Sequence, residues 1–216
     1  MKKTIINLTL IIFTITTYSQ DDVYSYTEND IINRIIIDKN YFVMTSYKVD
    51  TNKFVKTIGG FYSQNANKLN VDLEFNSNYK NDSISKIKIE KKANWKKISL
   101  KENDLQGKWL MVGRVRNGNE QRRNLNRPRK TMKLLINGYF QWIAFNTETF
   151  QFSGSGGGKY ITEDGKYIEN IEYFSRDDSK VGLTLEFNYD LINKEWNHKG
   201  FSSQGDPLHE IWIKRE

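Results

Sequence analysis

The chain has 216 residues, enough for one large or two small domains, with 33 Lys and Arg against 26 Asp and Glu for a net charge of +7. It has no Cys, which excludes disulfides and thiolate metal sites. Residues 101–130 hold nine basic residues and three acidic ones; so local an excess argues against a protein that coats nucleic acid.

In chain order, residues 1–19 read as an export signal. Lys2 and Lys3 supply a positive start, "IINLTLIIFTITTY" a short apolar run, and Thr17 and Ser19 small residues before a cleavage site at Ser19/Gln20. The run is short for a membrane span, and no Cys follows it to carry a lipid. The expected mature product has no transmembrane segment and lies in the periplasm or outside the cell. Without Lys2 and Lys3 its charge is 31 − 26 = +5, of which residues 101–130 supply +6.

Pro occurs only at 128 and 207, and short alternating segments broken by Asn, Asp and Gly recur throughout, the pattern of an all-β protein. Residues 21–33 are polar and poorly patterned. About six strands are expected between 34 and 100, ending in "ANWKKIS". From 107 onward eight are expected, at 107–116, 131–136, 139–146, 151–161, 166–174, 180–188, 194–201 and 208–215. After the first, their connections are hairpin-sized, as an eight-stranded antiparallel up-and-down barrel requires.

The two halves repeat. At an offset of 98, residues 41–77 match 139–175 without a gap at ten positions, including Phe54/Phe152, Gly59/Gly157, Gly60/Gly158, Tyr62/Tyr160 and Glu74/Glu172. The chain therefore divides into residues 1–19, a degraded copy of the β-meander over 20–100, and a barrel over 101–216. The glycines of "SGSGGGKY" do not fit a phosphate loop, since Gly158–Lys159 is followed by Tyr160 and a strand. They mark bulges or close backbone approach.

Strand parity gives the candidate site. Tyr167, Glu169, Ile171 and Tyr173 share one parity, where the upstream copy reads Leu69, Val71, Leu73 and Phe75. That face is expected inside, with a carboxylate at Glu169 that burial makes costly unless it is paired. Extended to the other strands, the same logic gathers Trp109, Trp142, Trp196 and Trp212 around Glu169, His198 and Glu210. Aromatic walls with a few polar groups suit a small apolar or amphipathic ligand. The same residues also suit a filled core, in which Glu169 and His198 satisfy each other or a tyrosine hydroxyl. Glu169 with His198 is in addition a candidate acid–base pair. No metal or other cofactor is expected: His198 and His209 are the only histidines and fall on opposite parities.

The stretch "GRVRNGNEQRRNLNRPRK", within residues 113–130, joins the first two strands of the barrel. It reads as an anion-attracting mouth, as a contact for acidic envelope polysaccharide over 114–130, or as a solvated loop. It has no aromatic residue on which a base would stack, so nucleic acid is not an expected partner.

Gly107–Lys108–Trp109 resembles the GxW that opens many lipocalin and calycin barrels. The phrases "FQWIAFNTET", "GSGGGKY", "GKYIENIEYFSRDDSKVG" and "GFSSQGDPLHEIW" are similar to a group of secreted bacterial proteins of unknown function with tandem lipocalin-like repeats. The resemblance covers about half the chain. It implies a barrel and an envelope or extracellular location, and no known reaction. It also implies a basic residue of the last strand over the opening Trp, with Lys214 and Arg215 as candidates. The expected function is non-catalytic binding of a small ligand. A structural or interaction protein of the envelope with a filled barrel is the alternative, and an acid–base enzyme comes third.

Overall fold

The computed structural model describes residues 21–65 and 68–216, so the expected export signal and its cleavage site lie outside the described residues. Two antiparallel sheets make up the fold. The first contains β1 (Asp22–Glu28), β2 (Ile31–Asp38), β3 (Tyr41–Lys48), β4 (Phe54–Asn65), β5 (Lys68–Asn76), β6 (Lys86–Glu90) and the two-residue β7 (Lys96–Lys97). Its order is β6-β5-β4-β3-β2-β1-β7. The second contains β8 (Gly107–Arg116), β9 (Asn119–Arg122), β10 (Arg129–Ile136), β11 (Tyr139–Asn146), β12 (Phe152–Glu163), β13 (Lys166–Phe174), β14 (Thr184–Ile192), β15 (Glu195–Phe201) and β16 (Pro207–Lys214). Pairing of β10 with β8 closes eight of these strands into a barrel, with β9 hanging from β8.

The offset of 98 holds strand by strand. β2 to β5 and β10 to β13 have the same lengths and positions. Register shifts fall between Ser46/Tyr47 and Ala144/Phe145, and between Gly59/Gly60 and Gly157/Gly158. β6 pairs with β5 as β14 pairs with β13, Lys68↔Glu90 matching Lys166↔Asn188. β7 meets β1 as β16 meets β8. What the first sheet lacks is a strand in the place of β15, and without that link it stays open at β6 and β7. It has seven strands where about six were expected. The extra one, β1, lies in residues read as unpatterned, because both its faces are covered: Val23 packs towards the barrel and Tyr24 into the opposite cluster. A strand buried on both faces loses the alternation by which it is recognised.

One face of the first sheet packs on the outside of the barrel at β10 and β11. Val23, Ile36, Tyr41, Val43 and Phe75 form one core with Met132, Leu134, Ile136, Tyr139, Ile143 and Phe145. The contact is nearly two-fold in the repeat. Tyr47 stacks on Tyr173 at 5.1 Å, and their counterparts Phe145 and Phe75 meet at 5.0 Å. Phe54 and Phe152, counterparts of each other, stack at 5.7 Å and 4°. The counterparts Glu74 and Glu172 bind Arg215 and Arg34 across the contact. Both copies thus use the same patch, as do the subunits of a two-fold dimer. Each aromatic pair adds about 0.5–1.5 kcal/mol beyond the area it buries. At the centre Gln141 donates to Thr57 and Ser155 and accepts from Thr45, so the buried amide is satisfied.

Candidate functional site

The barrel interior is built by alternation along its strands. β15 and β16 face each other with Trp196 opposite Trp212 and His198 opposite Glu210. Trp109 from β8, Tyr160 from β12, Tyr167 and Ile171 from β13 and Phe187 from β14 belong to the same cluster, with Leu105, Met111, Leu135 and Phe140. Trp109 seals one end: its indole donates to the Leu105 carbonyl at 2.6 Å, and Lys214 Nζ lies 4.3 Å from its ring centroid. Arg215, the other candidate for that contact, points instead to Glu74.

Glu169 is 4% exposed and its partner is Lys133, also 4% exposed, at 2.8 Å. Tyr167 donates a second hydrogen bond to the same carboxylate oxygen at 2.7 Å. Burial, and then the Glu169 charge, push the Tyr167 phenol well above its ordinary range. The Lys133 ammonium sits among the rings of Tyr167, Trp196, Trp212 and Phe187, with centroids 4.9 to 5.6 Å away. The ion pair and the ring faces together offset the desolvation of both charges. Lys133 is absent from the expected site. The repeat carries its signal, since Lys133 aligns with Ile35 just as Glu169 aligns with Val71. In the first sheet Ile35 and Val71 share one apolar cluster. An apolar contact in one copy is an ion pair in the other.

His198 therefore does not partner Glu169. Its Nδ1 lies 3.7 Å from Glu210 Oε2, too long for a hydrogen bond, and neither ring nitrogen has a partner among the described residues. Burial, and then the Lys133 charge, lower its pKa to about 4, so the ring is neutral near pH 7. Burial alone would raise the Glu210 carboxyl, but His198, Lys133 and Arg114 hold it down at about 2. Arg114 stands opposite Glu210 on β8 and donates to it at 2.9 Å.

Five of the seven expected residues (Trp109, Glu169, Trp196, His198 and Trp212) thus form a packed interior. The other two, Trp142 and Glu210, line a cavity of about 1000 Å3 at the mouth of the barrel. Its wall is Trp142 against Phe174, ring centroids 5.5 Å apart. Arg176 lies over the Trp142 ring at 5.5 Å, held by two donations to the Ser153 carbonyl. Arg114, Arg116, Lys180, Asp177, Asp206 and His209 are among the other lining residues. Phe174 reaches the mouth because of a bulge. Gly157 pairs with Tyr173 and Gly158 with Ile171, so Glu172 is passed over and the parity reverses. Tyr173, expected inside with Ile171, therefore packs outward on Tyr47.

The basic stretch is in part a hairpin, and its Arg114 and Arg116 line this mouth. Asn117 and Gly118 take φ of 50° and 76°, a tight turn that returns β9 along β8. Asn-Gly between two alternating segments is a strong hairpin signal, and it stands in the sequence. Arg122, at the end of β9, is committed to Glu195 through two hydrogen bonds of 2.7 and 2.9 Å. Among the described residues, no helix is long and apolar enough to cross a membrane.

Fold and site define an all-β protein with a closed eight-stranded barrel, open to solvent at one polar, aromatic-walled end. The chain belongs to the family described as a domain of unknown function, DUF4488, whose profile matches residues 104–216, just over half of the chain and the whole of the barrel. No curated protein matches the sequence.

Proposed function

We propose that this is an exported, non-catalytic binding protein of lipocalin-like tandem-repeat type, and that its barrel takes a small amphipathic ligand at the mouth. The observation that carries the reading is the cavity of about 1000 Å3 walled by Trp142 and Phe174. Its size and its mixture of ring faces and polar groups are those of a small-molecule site. The repeat supports it: the positions of Trp142 and Phe174 are Met44 and Asn76 in the first copy. Lys214 over Trp109 supports the lipocalin-like reading. The pattern of residues 1–19 supports export to the periplasm or beyond. Acidic envelope polysaccharide is a further partner reading for the basic stretch at 114–130, supported by its local charge.

The test is tryptophan fluorescence of the full chain against a panel of lipids, bilins and sugars. Binding at the mouth changes the emission of wild type, and Trp142→Ala loses that change while its thermal unfolding stays two-state. A second reading, a structural or interaction protein, is favoured by the packing of Trp109, Trp196 and Trp212 below the mouth. It predicts no response to any member of the panel.

A further inference from the structure

We infer that the ligand of the mouth carries an anionic group, a carboxylate, sulfate or phosphate, and that Arg116 and Arg176 recognise it. The inference rests on the proposed binding function and names the chemistry of its ligand.

The charges lining the cavity are four cations (Arg114, Arg116, Arg176 and Lys180) and three carboxylates (Asp177, Asp206 and Glu210). Most of the carboxylate charge is already committed. Glu210 is held by Arg114 at 2.9 Å. Asp177 accepts from the Ser179 amide and hydroxyl and lies 3.7 Å from Lys180. Arg116 and Arg176 have no carboxylate within ion-pair distance among the described residues. The Arg176 guanidinium is fixed through Nε and Nη2 to a backbone carbonyl, which leaves Nη1 with its donors free. It is therefore preorganised over Trp142, at the edge of the apolar wall. A ligand with an apolar part on Trp142 and Phe174 would bring an attached anion within reach of it.

The surrounding charge has the same sign. Arg123 is pushed below its ordinary pKa by burial and then by Arg114, with Arg129 and Arg116 adding to this and Glu210 opposing it. Arg114 and Arg116 of the cavity wall thus lie close enough to Arg123 to repel it, with the buried Glu210 opposing them. Such repulsion is relieved by a bound anion. A buried donor at the same place also has no partner: Arg114 Nε, beside Glu210 at the cavity edge. Arginine forks of this kind bind carboxylate and phosphate in paired hydrogen bonds.

The experiment is calorimetric titration of the full chain near pH 7 with four probes that share a ten-carbon tail: decanoate, decyl phosphate, decanol and decyltrimethylammonium. The expected result is that decanoate and decyl phosphate bind at least tenfold more tightly than decanol, and that raised salt reduces the difference. Arg116→Gln and Arg176→Gln each reduce the anion preference about tenfold and leave decanol unaffected. Lys56→Gln, a surface lysine on β4 in the first sheet, leaves all four affinities unchanged. Equal binding of decanoate and decanol overturns the anion inference and leaves the binding function standing. So does an anion preference that Lys56→Gln reduces as much as the arginine variants do, since that would be the net charge of the protein at work. No binding of any probe overturns both.

Discussion

Lys133 and Glu169 show how a polar pair is carried in the core of this barrel. Lys133→Ile leaves Glu169 buried without its counter-charge and is expected to cost about 3–5 kcal/mol. The double variant Lys133→Ile, Glu169→Val restores the apolar pair that the first copy has at Ile35 and Val71. It is expected to be close to wild type or more stable in urea unfolding, and a double variant as unstable as the single one would contradict the account. His198 makes a separate prediction about pH. Its ordinary pKa of 6.5 applies to the unfolded chain and about 4 to the folded one. Between these values the unfolded state holds a proton that the folded state does not. Stability therefore falls as pH drops from 6.5 towards 4, by on the order of 3 kcal/mol in total. Glu210, near 2 folded against 4.5, extends the loss to lower pH. Urea midpoints measured across that range should follow this slope in wild type and flatten above pH 4 in His198→Phe. At this scale the sequence exposed Glu169 because Val71 stands at its repeat position. Lys133 stayed hidden because its strand is apolar on both parities, Met132, Leu134 and Ile136 packing outward on the first sheet.

Register shifts fall in two successive strand pairs of each copy, β3–β4 and β4–β5 in the first and β11–β12 and β12–β13 in the second, and the later one of each copy falls between two glycines. A Cβ on Gly158 would lie 1.9 Å from the Asn170 carbonyl oxygen, and one on Gly60 would lie 1.9 Å from that of Asp72. Neither neighbour is a side chain that can turn away. Gly158→Ala and Gly60→Ala are each expected to destabilise by about 1–3 kcal/mol in chemical unfolding. A neutral result at both positions would show that the bulges are not held by close backbone approach. The strand order and hairpin turns of the barrel were legible, because its turns use Asn-Gly and Asp-Gly with positive φ, as at Asn137 and Gly138. Two features were not. β1 lacks alternation because both its faces are buried. The inward turn of Phe174 depends on a skipped residue, which strand parity cannot count.

At the scale of the molecule the first sheet and the barrel share a core, so neither buries its apolar surface alone. Unfolding is expected to be a single cooperative transition. The fluorescence of Trp95→Phe, which then reports only the barrel tryptophans, should coincide with far-ultraviolet circular dichroism of the whole chain; two separated midpoints would contradict the shared core. The repeat was readable from ten identities, and it foretold a first copy without the Trp142 and Glu169 side chains. It could not show that the copies meet through matching patches, since that depends on which parity faces outward. The first copy, open and apolar, supports the barrel, and the second has the aromatic mouth. The most direct test is native mass spectrometry of the chain purified without denaturant from the organism that encodes it. The account predicts a stoichiometric small-molecule adduct on the wild-type protein that is lost in folded Trp142→Ala. A wild-type protein that carries no adduct, and takes up none from a lipid extract of the same cells, would contradict it.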